Sequence, residues 1–143
     1  MLTAIPLTII PLIVFNALGF ALGGGPGAPW GDVLFTIPLI SGVAWSITTG
    51  DLMVLLGLAM LFFETLRSAQ VPNAANIANH IISTILLIVY IVEFIVVKVA
   101  GDSLFFLLTV IALFDVVAGF TISIKTAQRD ISLDGGAGAL TVR

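Results

Sequence analysis

The chain has no cysteine. That excludes disulfides and thiolate metal sites, and leaves the redox compartment open. Charge is scarce too, with five Lys or Arg, eight Asp or Glu and one His in 143 residues. Charged residues make up 9% of the chain. A soluble domain carries about 25%, so these are too few to cover a water-facing surface. No Lys or Arg precedes Arg67. The N-terminus therefore lacks the positive region of a signal peptide, and it lacks a good small-x-small cleavage site; it reads as a retained first span. A single histidine excludes bis-His haem ligation within one chain. No Ser-His-Asp set, phosphate loop or metal-spaced cluster occurs. No basic patch is present for nucleic acid. The expectation is a protein that is not an enzyme, uses no cofactor and binds no nucleic acid.

What the chain has is apolar length. It is 59% hydrophobic, with a mean hydropathy of +1.24. Two long apolar runs, to Val97 and from Leu104 to Ile124, flank the short break Lys98-Val-Ala-Gly-Asp102. Each exceeds the ~18 residues a helix needs to cross a bilayer, so the pair reads as a transmembrane hairpin. Spans are expected at about 3–22, 51–68, 77–98 and 103–125. The fold class is then an all-α membrane protein, a four-helix transmembrane bundle. One domain covers 1–130, and 131–143 is a flexible cytoplasmic tail.

Within the first span, Pro6 is tolerable in a first turn while Pro11 is expected to kink the helix. Gly19 and Gly23 make a small-xxx-small pair that admits a neighbouring helix. Trp30 is expected in an interfacial aromatic belt. Asp51 is read as the N-cap of the second span, and Gly101-Asp102 repeats that chemistry before the fourth.

Residues 33–49 are apolar but broken by Pro38, Ser41 and Gly42. Phe35, Ile37 and Leu39 alternate with smaller or more polar residues, as do Val43, Trp45 and Ile47. A three-residue loop at Ile40-Ser41-Gly42 pairs Leu39 with Val43, Ile37 with Trp45 and Phe35 with Ile47, and gives Gly42 a left-handed backbone. The segment therefore reads as a short periplasmic β-hairpin between spans 1 and 2, greasy face toward the membrane. A re-entrant or short interfacial helix is the other reading. The basic residues set orientation. With both termini cytoplasmic, Arg67, Lys125, Arg129 and Arg143 lie inside and only Lys98 outside.

Polar residues within spans should face the bundle interior. Asn76, Asn79, Ser83, Leu86, Tyr90 and Glu93 share one face of the third span; Leu108, Ala112, Asp115, Gly119 and Ser123 share one face of the fourth. Gly50, Gly57 and Glu64 recur at heptad spacing on the second. Asp115 is the deepest acid, roughly 15–20 Å from the boundary at 1.5 Å per residue. It is read either as a proton-relay residue or as a protonated acid hydrogen-bonded to Tyr90, Asn16 or a backbone carbonyl. Glu64 and His80 are read either as a pair across the second and third spans or as interfacial groups reaching headgroup water. The candidate polar network is thus Asp115, Tyr90, Glu93, Asn16, Glu64 and His80.

Three strings carry a resemblance: Ser41-Gly-Val-Ala-Trp45-Ser-Ile-Thr-Thr-Gly50-Asp51-Leu52, Leu61-Phe-Phe-Glu64-Thr-Leu-Arg67 and Leu113-Phe-Asp115-Val-Val-Ala-Gly119-Phe120. Over roughly residues 35–130 the chain resembles small multi-span inner-membrane proteins of alphaproteobacteria. The resemblance implies the bacterial inner membrane and adds no chemistry. The expected function is that of a non-enzymatic accessory or scaffolding subunit that binds the lipid bilayer, other membrane subunits or itself. The alternative is a homo-oligomeric channel or proton-coupled transporter using Glu93 and Asp115.

Overall fold

The computed structural model describes residues 5–21, 29–70 and 73–137, and within them all side chains except those of 70, 73–77, 126–127 and 129–137. In order the elements are α1 (Ile9–Ala21), β1 (Val33–Pro38), β2 (Ala44–Thr48), α2 (Thr49–Gln70), α3 (Asn73–Val96), a 3-10 turn (Lys98–Ala100) and α4 (Ser103–Ala137).

Three helices are long and apolar enough to cross a membrane, over Thr49–Ala69, Ala78–Val96 and Ser103–Lys125. Of the expected first span, the described residues form a shorter apolar helix. α1 has 13 residues, about 20 Å of rise against roughly 30 Å of hydrocarbon. Its prolines explain the shortfall. The chain from Ile5 to Thr8 is non-helical, closed by Ile9 N–H to Pro6 O at 3.2 Å and Ile10 N–H to Leu7 O at 3.0 Å. Pro11 therefore falls in the first helical turn, where its missing N–H has no intrahelical partner to lose, and it starts the helix instead of kinking it. At the far end α4 runs on to Ala137, so the backbone is helical across the first half of the segment read as a flexible tail. Residues 138–143 lie outside the described residues.

α4 is the central helix, packed against α2 on one side and α3 on the other. Two glycines set the spacing. A Cβ on Gly57 would stand 3.0 Å from Leu108 and Ile111 of α4. Gly119 of α4 lies directly under the ring of His80 on α3. α1 touches α2, α4 and the 3-10 turn, with Gly19 against Val99; Gly23, its expected partner in the small-xxx-small pair, lies outside the described residues. The polar stripes face inward as their spacing requires. Asn79, Ser83, Leu86 and Tyr90 on α3, and Leu108, Ala112, Asp115 and Gly119 on α4, are all buried. Glu93 is half-buried, and the side chain of Asn76 lies outside the described set.

An aromatic cluster fills the end opposite Arg67. Phe15 stacks on Trp30 with centroids 4.7 Å apart and meets Phe105 at 4.7 Å, and Phe105 meets Tyr90 at 5.5 Å. Trp30 is thus a core residue, 5% exposed, turned into the bundle and not outward.

The hairpin has the register its alternation dictates. Phe35 pairs with Ile47, Ile37 with Trp45 and Pro38 with Ala44. Leu39 N–H bonds to Val43 O at 2.9 Å, Gly42 N–H bonds to Leu39 O at 2.9 Å, and Gly42 has φ +83°. Thr36 and Ser46 join hydroxyls at 2.9 Å on the polar face. The helical reading of this segment is excluded. The hairpin is tied to α2 by main-chain bonds, Thr49 N–H to Asp32 O at 3.0 Å and Gly50 N–H to Trp30 O at 2.9 Å. The cap itself is Thr48, one turn earlier than expected. Asp51 N–H bonds to Thr48 Oγ1 at 3.2 Å, while Asp51 Oδ2 accepts the Thr48 N–H and hydroxyl, both at 2.8 Å. That is a reciprocal capping box with Asp51 at its third helical position. Asp102 does cap α4, its Oδ1 accepting Phe105 N–H at 2.8 Å.

Candidate functional site: a polar clasp around the start of α1

The deepest polar groups converge on the turn that leads into α1. A helix start leaves up to four N–H groups without intrahelical partners, and in hydrocarbon each orphan is costly. Pro6 and Pro11 remove two donors outright. Leu7 N–H is taken by Glu64 Oε2 of α2 at 2.8 Å. The next residue, Thr8, is 1% exposed and gives its hydroxyl to Asp115 Oδ2 of α4 at 3.0 Å. Its carbonyl receives the Tyr90 hydroxyl of α3 at 2.9 Å. Two consecutive residues of α1's lead-in are therefore held by all three long helices.

Glu64 is the anchor. It is 1% exposed, and Oε1 accepts Asn79 Nδ2 at 2.6 Å and Arg67 Nη2 at 2.8 Å. The same Arg67 nitrogen reaches Ile5 O at 2.8 Å and Asn79 Oδ1 at 3.2 Å. Arg67 keeps 24% of its side chain exposed, so the cation closes the cluster at the bundle end while the carboxylate sits inside.

Four of the six sequence candidates meet in or beside this clasp, with partners that differ from expectation. Asp115 bonds to Thr8, not to Tyr90 or Asn16, and Tyr90 joins it only through Thr8. Glu64 bonds to Arg67, Asn79 and Leu7, not to His80, and neither Glu64 nor His80 reaches outward: His80 is 3% exposed. The imidazole lies against Gly119 and 6.0 Å from the Phe120 ring, and its Nε2 is buried without a hydrogen-bond partner. Ser83 Oγ, on the same helix, is buried beside Asp115. Glu93 and Asn16 form a separate pair. Asn16 Nδ2 donates to Leu12 O at 3.1 Å, and the two side chains share a groove of about 390 Å³ between α1 and α3 with Phe20, Val89 and Val92.

Sequence reasoning missed Thr8, Leu7, Arg67 and Asn79 as members of the site. Thr8 had one signal, a hydroxyl between two prolines in an otherwise apolar run. Leu7 had none, because it takes part through its backbone. Chemically the clasp is a set of saturated hydrogen bonds around one carboxylate-arginine pair. Among the described residues no group of three His, Asp or Glu side chains gathers as a metal would require. The chain matches no family model, no curated protein and no solved structure.

Proposed function

We propose that this chain is a small multi-pass protein of the bacterial inner membrane with both termini cytoplasmic. It acts as a non-enzymatic accessory or scaffolding subunit that binds other membrane components. The observation that carries the reading is the hairpin. Every residue of β1 is exposed, and Phe35, Ile37, Leu39, Val43 and Trp45 are each at least 40% exposed on one face. An apolar sheet face with bare edges is not stable in water, and its unpaired backbone is not stable in lipid, so it belongs against another protein or at the interface. The deep acids support the same reading, since Glu64 and Asp115 are occupied in holding α1. Glu93 favours the transport alternative, because its Oε1 is buried without a partner.

The test is affinity capture in mild detergent with wild type beside Trp45→Ser. A stoichiometric membrane partner retained by wild type and lost by the variant is expected. Retention by both, with the variant still folded, overturns the hairpin as the binding element. Proton or ion flux in liposomes that Glu93→Gln abolishes would favour transport.

A further inference from the structure

One carboxylate stands apart from the clasp. Glu93 lies on α3 just before Val96 and lines the groove between α1 and α3, with Asn16 alongside. Among the described residues it has no cationic partner; the ion pair there is Glu64 with Arg67. Its Oε1 is buried without a hydrogen-bond partner, while the residue as a whole is half-buried and open to the groove. Asn16 cannot neutralise it. That amide carries no charge, and its Nδ2 already donates to Leu12 O at 3.1 Å. The pair therefore holds acceptors and negative charge in excess of donors.

The walls around it are apolar. Phe20 of α1 and Ile88, Val89 and Val92 of α3 line a volume of about 390 Å³, within the range of small-ligand sites. Between Ile88 and Val96 the groove follows α3 for about 12 Å of helix rise. An apolar trench with one carboxylate along it fits an amphiphile, and the charges narrow the choice of head. No Lys or Arg lines the groove, so a phosphate or carboxylate head finds no counter-charge and is repelled by Glu93. A hydroxyl head brings a donor but leaves the charge unpaired among apolar walls, which is costly. A protonated primary amine brings both donor and charge, and charge-assisted hydrogen bonds are about twice as strong as neutral ones.

We propose that the α1–α3 groove binds a long-chain primary amine that carries no phosphate, its ammonium on the Glu93 carboxylate beside Asn16 and its tail against Phe20, Val89 and Val92. The site goes beyond the scaffolding reading and shares with it only the embedding of the chain in the membrane. The probe is dodecylamine, set beside dodecanol and dodecanoate in phosphatidylcholine nanodiscs that hold the full chain. Photoreactive dodecylamine should label peptides around Phe20 and Val92 saturably at neutral pH. Unlabelled dodecylamine should compete at about ten-fold lower mole fraction than dodecanol, as pairing a charge requires, and dodecanoate should not compete. Glu93→Gln should remove that preference, whereas Asp32→Asn, which changes an exposed acid outside the groove, should keep it. Equal competition by dodecanol, labelling that does not saturate, or a preference unchanged in Glu93→Gln overturns the proposal. The comparison of amine with alcohol in the wild type decides the matter even where Glu93→Gln fails to fold. Alkaline carbonate extraction of native membranes tests the embedding separately. Extracted protein refutes that reading, whereas retained protein without an amine preference refutes only this site.

Discussion

Thr8 and Asp115, 107 residues apart, share a buried hydrogen bond of 3.0 Å, and the Thr8 carbonyl holds the Tyr90 hydroxyl at 2.9 Å. Asp115→Asn keeps an acceptor for the Thr8 hydroxyl, so it should be tolerated. Asp115→Leu and Thr8→Val should each cost about 1–2 kcal/mol, the upper range for polar contacts between membrane helices. The double variant should cost less than the sum, because either change alone breaks the same bond. Thermal unfolding in detergent measures all four proteins. Loss of function in a fully stable Asp115→Asn would instead assign this acid a proton-transfer role.

Glu64 should be the least replaceable side chain in the bundle. It accepts from Leu7 N–H, Asn79 and Arg67, at 2.8, 2.6 and 2.8 Å. Glu64→Ala strands three buried or half-buried donors and should cost about 3–5 kcal/mol, the range for breaking a buried ion pair. Glu64→Gln retains one acceptor and should cost less. Equal stability of the two variants in chemical denaturation would show that the acceptor kept by Gln contributes nothing.

Gly119 and His80 should behave as a unit. Gly119→Ala puts a methyl into the imidazole and should destabilise by about 1–3 kcal/mol. His80→Ala in the same background should recover much of that loss. Additive losses would mean that the two residues do not meet.

Gly42→Val should loosen the hairpin without unfolding the helices. Its φ of +83° costs a β-branched residue about 1–2 kcal/mol. Hydrogen exchange at the Leu39 and Gly42 amides should quicken while α3 and α4 amides stay protected.

A reporter fused near residue 72 should read as cytoplasmic, and one near residue 101 as periplasmic. The split of Arg67 and Lys125 from Lys98 carries this expectation. The reverse pattern would invert the topology.

The hairpin was legible because period-two alternation and a turn glycine are both local. The inward stripes of α3 and α4 were legible for the same reason, since their spacing is set by one helix alone. Asp115 was found by depth, but its partner was not. Thr8 lies on a segment whose free Leu7 N–H is taken by Glu64, 57 residues away. Pro6 and Pro11 mark the non-helical start locally, but periodicity over residues 3–22 carries no trace of the distant carboxylates that satisfy it. The burial of Trp30 was missed for a parallel reason. Aromatics near span ends usually sit at the interface, and nothing nearby in sequence announces that Phe15 will cover the indole.

The clasp also dictates an order of events. α1 is synthesised before the helices that fix it. Its lead-in turn is held by Glu64, Tyr90 and Asp115, the last of which emerges after most of the chain. A 13-residue helix is too short to be anchored across the bilayer by its own length. α1 therefore waits on its successors and settles as the closing piece of the assembly. A chain stopped after residue 100 should leave Thr8→Cys open to a membrane-permeant thiol reagent, whereas in the full chain the same thiol is shut away.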